Sequence, residues 1–93
     1  IKNYEIIDKD IYSENIFLNF KEKFDIIFLD PPFRDKNFIK VLLRIHKSNI
    51  LKKNGIIIIH RHINEKDSLP LNIKIIEEKK YGISKILFVS LIN

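Results

Sequence analysis

The chain of 93 residues has no cysteine, no methionine and no tryptophan, and only two glycines and three prolines. Without cysteine it can form neither a disulfide framework nor a thiolate metal site. Methionine is missing even at position 1, so we expect a processed piece or a fragment of a longer chain. No run reaches the roughly 18 apolar residues that cross a bilayer, and no signal-peptide pattern opens the sequence. A cytoplasmic protein with no membrane partner is therefore expected. Nothing in the sequence resembles the G-x-G strand-to-helix turn that lets a backbone approach a dinucleotide-type cofactor, since Gly55 and Gly82 stand far apart. At this length the chain is one domain at most, with a core only marginally sufficient. The net charge of +5 suits a partner bearing phosphates, although the isoleucine-, lysine- and asparagine-rich composition of an AT-rich coding sequence accounts for it equally.

The most informative stretch is Phe24-Asp25-Ile26-Ile27-Phe28-Leu29-Asp30-Pro31-Pro32-Phe33. Residues 26–29 are an unbroken apolar run, as expected of a parallel strand buried on both faces. Asp30 stands at its carboxyl end. Two consecutive prolines fix φ and cannot donate to a ladder, so the backbone must turn rigidly out of the sheet there. Ligands of open α/β sheets collect just beyond such strand ends. The chemistry suits a planar amine that has to act as a nucleophile. The Asp30 carboxylate and the Pro31 carbonyl offer two acceptors for its two protons, and orientation of this kind supplies much of a rate. Phe33 offers an apolar face for a base taken out of its stack. Asp-Pro-Pro also serves elsewhere as a plain turn.

The remaining elements are set by pattern and by turn chemistry. Residues 4–8 alternate weakly and form a short strand, followed by a helix over residues 11–20 for which Asp10 could be the cap. Asp35 caps a second helix from Lys36 to about Asn49, with Phe38, Leu42 and Ile45 on adjacent turns. Asn54-Gly55 tolerates positive φ and opens a second buried strand over residues 56–59. His60-Arg61-His62 stands at that strand's end, on the same rim as Asp30. No further ligand completes a metal site around the histidines, so no metal is expected. Residues 64–70 are a polar connection, and residues 72–80 and 83–91 form an antiparallel hairpin around Tyr81-Gly82.

Asp-Pro-Pro-Phe after an apolar strand resembles motif IV, [DN]-P-P-[YF], of S-adenosylmethionine-dependent amino-methyltransferases. With Leu51-Lys52-Lys53-Asn54-Gly55 leading into residues 56–59, and Lys79-Lys80-Tyr81-Gly82 before residues 84–88, the chain is similar to the second half of the RsmD family. Those enzymes methylate the guanine N2 amine of 16S ribosomal RNA. The resemblance implies an α/β fold, the C-terminal part of a Rossmann-like class I methyltransferase sheet, mostly parallel and ending in an antiparallel hairpin. Residues 1–93 would be a partial domain lacking the cofactor-binding first half, inactive by itself and monomeric when complete. Asp30, Pro31, Pro32 and Phe33 would be catalytic. Asp10, with Ile11 beside it, would meet the adenine of S-adenosyl-L-methionine. Arg34, His60 and Arg61 would face ribosomal RNA or the small-subunit particle, His60 departing from the Glu-His usual in the family.

The family sheet order is 3-2-1-4-5-7-6, and this chain would hold strands 3 to 7. Strand 3 then lacks its neighbour, so residues 1–20 are expected to be poorly anchored, or paired non-natively, if the piece folds by itself. A DNA adenine-N6 or cytosine-N4 methyltransferase shares the motif. A protein-glutamine methyltransferase prefers Asn where Asp30 stands. A non-catalytic basic RNA-binding piece is the alternative from another class.

Overall fold

The computed structural model describes residues 23–32 and 34–92. The first strand, the helix after it and their anchoring lie outside these residues, as do Asp10, Ile11 and Phe33. The described elements are β1 (Phe24–Leu29), α1 (Phe38–Ser48), β2 (Leu51–His62), β3 (Ile73–Tyr81) and β4 (Ser84–Leu91). They form one sheet of four strands in the order β1-β2-β4-β3. This is the 4-5-7-6 end of the order expected from the sequence.

The pairing mixes parallel and antiparallel, consistent with a sheet expected to end in an antiparallel hairpin. β1 and β2 run parallel, while β2 with β4 and β4 with β3 are antiparallel. The reason lies in the connections. A parallel pair needs a crossover of a dozen or more residues, and α1 supplies it between β1 and β2. β3 is followed by the short turn Gly82-Ile83, in which Gly82 takes φ 55°, so β4 must reverse and slot in beside β2. Residues 63–72 contain no helix, in line with the polar connection expected over residues 64–70.

α1 starts after Asn37, which makes no side-chain capping bond; Asp35, expected as the cap, lies two residues earlier and accepts a hydrogen bond from the Asn37 backbone N–H at 2.8 Å. It ends on Asn49 in the left-handed region, a conformation asparagine tolerates. Phe38, Val41, Leu42 and Ile45 are fully buried at helical spacing, and they pack with Leu29, Ile57, Ile59, Leu87 and Val89 of the sheet. Only this face has a helical layer among the described residues. The expectation that β1 is buried on both faces is corrected accordingly, since Ile26 is 39% and Phe28 60% exposed on the other face. None of the described helices is long and apolar enough to cross a membrane.

The start of β2 is irregular. Phe24 pairs with Leu51 but Ile26 pairs with Ile56, so residues 52–55 bulge against Asp25 alone. The positive φ there belongs to Asn54, at 68°, rather than to Gly55. Gly55 is required for space. A Cβ on it would lie 2.7 Å from the Leu51 side chain and 2.8 Å from the Lys52 carbonyl oxygen. Gly55→Ala should therefore cost about 1–3 kcal/mol in chemical denaturation, as overpacked sites do, and an unchanged midpoint would contradict the tight bulge.

Candidate active site

Parallel pairing of β1 with β2, in which Leu29 is matched to Ile59, brings the carboxyl ends of both strands to one edge. The next residues, Asp30 and His60, consequently lie side by side. His60 Nδ1 is 2.9 Å from Asp30 Oδ1. An ionised carboxylate only accepts, so the imidazole donates through Nδ1. One oxygen of Asp30 is thereby fixed and Oδ2 remains for another donor. The two side chains stay accessible, at 62% for Asp30 and 37% for His60.

Around this pair opens a cleft of about 360 Å³ lined by Asp30, Pro31, Pro32, His60, Arg61, His62, Ile83 and Ser84. Pro31 is buried and Pro32 is exposed. The Pro32 carbonyl accepts from the Asp35 N–H at 3.0 Å, closing the turn. Arg34 is exposed beside it with φ 68°. His62 Nδ1 accepts from the Asn64 backbone N–H at 3.1 Å, so this ring carries its proton on Nε2 when neutral. No group of ligands able to hold a metal is found among the described residues.

Arg61 is not where the sequence reading put it. Expected on an RNA-facing rim, it is only 2% exposed. Alternation explains this: Arg61 follows Ile57 and Ile59 onto the face covered by α1, while His60 and His62 take the opposite face. Its Nε and Nη2 donate to the two carboxylate oxygens of Asp67 at 2.9 and 3.2 Å, and its Nη1 donates to the Pro32 carbonyl at 3.4 Å. The guanidinium lies 4.5 Å from the centre of the Phe38 ring. Lys36 Nζ reaches Asp67 Oδ1 at 2.9 Å and the Lys66 carbonyl at 2.9 Å.

Sequence reasoning missed Asp67, Ile83 and Ser84. Asp67 lies in an aperiodic connection and carries no local signal. Ile83 and Ser84 reach the cleft because the hairpin folds back on β2, where His62 pairs with Ser84 and the Ile63 N–H donates to the Ile83 carbonyl at 2.8 Å. The strand alternation that buries Arg61 was readable.

Burial pushes the Asp67 carboxyl up, but hydrogen bonds and charge from Arg61 and Lys36 outweigh it and hold the group below the usual carboxylate value. The hydrogen bond to Asp67 raises Lys36 above its ordinary value. Asp67 thus contributes stability that is complete above its unfolded pKa and is lost as pH falls through its lower folded value. Thermal melts carried from neutral pH to below the carboxylate range should show this acid limb, and Asp67→Asn should flatten it. Asp67→Ala removes both hydrogen-bonded oxygens from a buried guanidinium, leaving Glu65 Oε1 at 4.0 Å as its only carboxylate among the described residues, and should cost about 3–5 kcal/mol at neutral pH. Parent-like melting of Asp67→Ala would contradict the buried pair.

Comparison with known proteins fits this geometry. The family model described as Conserved hypothetical protein 95 matches residues 3–90. Over 72 residues the chain is 40% identical to the Uncharacterized methylase RP545 of Rickettsia prowazekii, covering 76% of this chain and 30% of that protein. Among solved structures it is similar to HI0767 of Haemophilus influenzae, a candidate methylase, with a TM-score of 0.66 and 26% identity over 87% of this chain and 52% of that one. YhhF of Escherichia coli, a candidate methyltransferase, shares the fold with a TM-score of 0.66 at 23% identity, over 83% of this chain and 45% of that one. The chain spans about half the length of these solved structures and less of the Rickettsia protein. With nearly the whole sequence matched by the family model and the Asp-Pro-Pro turn at the sheet edge, the chain belongs to the Conserved hypothetical protein 95 family of RsmD-like proteins.

Proposed function

We propose that this chain forms the substrate-amine side of an S-adenosyl-L-methionine-dependent methyltransferase acting on an exocyclic nucleobase amine, guanine N2 of 16S ribosomal RNA. The observation that carries the reading is Asp30, held by His60 at the mouth of an open cleft, directly before two prolines. In this reading the four strands are the C-terminal part of a Rossmann-like class I sheet. The relative named as a methylase supports the reaction class. The net charge of +5 supports a phosphate-bearing partner, the ribosomal RNA or the small-subunit particle in the cytoplasm.

An exocyclic amine is a weak nucleophile because its lone pair is delocalised into the ring. Asp30 Oδ2 and the Pro31 carbonyl accept its two N–H bonds and turn the lone pair out of conjugation. Orientation is the main contribution of these residues, and a misplacement of about 1 Å costs about a hundredfold. The amine nitrogen loses a proton as its new bond to carbon forms, and the Asp30 carboxylate is the adjacent acceptor. No covalent intermediate with the enzyme is needed. The edge of the cleft is apolar at Pro31, Pro32 and Ile83, suited to the faces of an unstacked base. Phe33 would add an aromatic face.

S-adenosyl-L-methionine, when bound, supplies an electrophilic methyl on a cationic sulfur, and an exposed carboxylate at the strand edge suits a neighbouring cation. Asp10, with Ile11, is assigned to its adenine. Arg34 is exposed at the turn and is assigned to a phosphate of the substrate strand, with His60 and His62 on the adjoining rim.

Asp30→Ala in the natural-length protein should lower methyl transfer at least about a hundredfold while leaving cofactor affinity unchanged. Turnover and cofactor affinity measured on the same preparation check this. Retained turnover would remove Asp30 from the mechanism.

A further inference from the structure

We propose that Arg61 is a positioning residue of the amine site, which fixes the Asp30-Pro31-Pro32 turn from beneath through the Pro32 carbonyl. The proposal rests on the methyltransferase reading given above. The two prolines have no N–H, so beyond Asp30 the turn has acceptors but no donors with which to anchor itself. Its anchors must come from elsewhere. Among the described residues, His60 Nδ1 holds the Asp30 carboxylate at 2.9 Å, and two donors hold the far end of the turn: the Asp35 backbone N–H at 3.0 Å and Arg61 Nη1 at 3.4 Å, both on the Pro32 carbonyl.

The Asp35 donor belongs to the same loop and moves with it. Arg61 belongs to β2 and is held in place by three independent constraints. Its Nε and Nη2 form a bidentate pair with Asp67, its face lies over Phe38 of α1, and its side chain is 1% exposed. Asp67 is held in turn by Lys36, from the segment between the turn and α1. The turn is therefore tied to β2, to α1 and to the 63–72 connection through a single guanidinium. Lysine offers one compact ammonium on a flexible stem and cannot keep the bidentate pair and the carbonyl contact together.

The test uses the natural-length protein and three variants: Arg61→Lys, Asp67→Asn, and Arg61→Met combined with Asp67→Leu. Replacing a buried ion pair by apolar residues of similar volume is often neutral for stability, and Glu65, 4.0 Å from Arg61, still has Lys36 at 3.5 Å, so the double variant should keep a cooperative melt and its kcat is compared per folded molecule. Its kcat should nevertheless fall by about tenfold to a hundredfold, with cofactor affinity and the KM for RNA nearly unchanged. Asp67→Asn keeps the Arg61 donor but leaves it one acceptor in place of the bidentate pair, so kcat per folded molecule should fall by less than in the Arg61 variants. Arg61→Lys, assayed below its melting range, should show the same loss of kcat as the double variant. Parent-like kcat in either Arg61 variant would overturn the proposal, as would losses that merely follow the folded fraction in all three.

Hydrogen exchange at the Asp35 amide gives a readout independent of catalysis. It should speed up at least about tenfold in the Arg61 variants, relative to other protected amides, because the carbonyl it donates to is loosened. Unchanged Asp35 exchange would overturn the proposal even if the parent transferred no methyl group, an outcome that by itself would sink only the functional reading.

Discussion

The parallel pairing of β1 with β2 is the constraint on which the site depends. A parallel pair brings like ends together, so the residues after Leu29 and after Ile59 must emerge at one edge. Those residues are Asp30 in one strand and His60 in the other. The register that matches Leu29 to Ile59 places the imidazole against the carboxylate, and a shift of one residue would turn His60 to the opposite face. The register is held by burial. Leu29, Ile57 and Ile59 share the face covered by Phe38, Val41, Leu42 and Ile45 of α1.

The same alternation explains why adjacent residues of β2 have unlike roles. His60 and His62 stand on the open face, while Arg61 points to the α1 side and meets the cleft only at its edge. A buried guanidinium there needs a carboxylate, and the 63–72 connection supplies Asp67. That connection runs without a helix, and Asp67 ties it to both β2 and Lys36.

The parts of this arrangement that were legible in the sequence are those with local causes. The apolar runs before Asp30 and His60 mark buried strand segments. Consecutive prolines mark a rigid exit from the sheet, and the helical spacing of Phe38, Leu42 and Ile45 marks α1. The order β1-β2-β4-β3 came from the family resemblance rather than from any local signal. The exposure of Ile26 and Phe28 was not legible, because burial of a strand's second face depends on which layers cover it, and an apolar run is silent on that. The pairing of Arg61 with Asp67 depends on a connection that doubles back, and the arrival of Ile83 and Ser84 at the cleft depends on where the hairpin docks. Neither has a period or a motif.

The central claim is that the edge carrying Asp30 and His60 presents a nucleobase amine for methylation. The most direct measurement is transfer of a labelled methyl group from S-adenosyl-L-methionine by the natural-length protein. Unmodified small-subunit RNA and duplex DNA would be offered in competition, and the label then located by nucleoside analysis. The account predicts label in N2-methylguanosine of the RNA. Label in adenine N6 or cytosine N4 of the DNA would contradict the substrate, and binding of RNA without any transfer would contradict the claim itself.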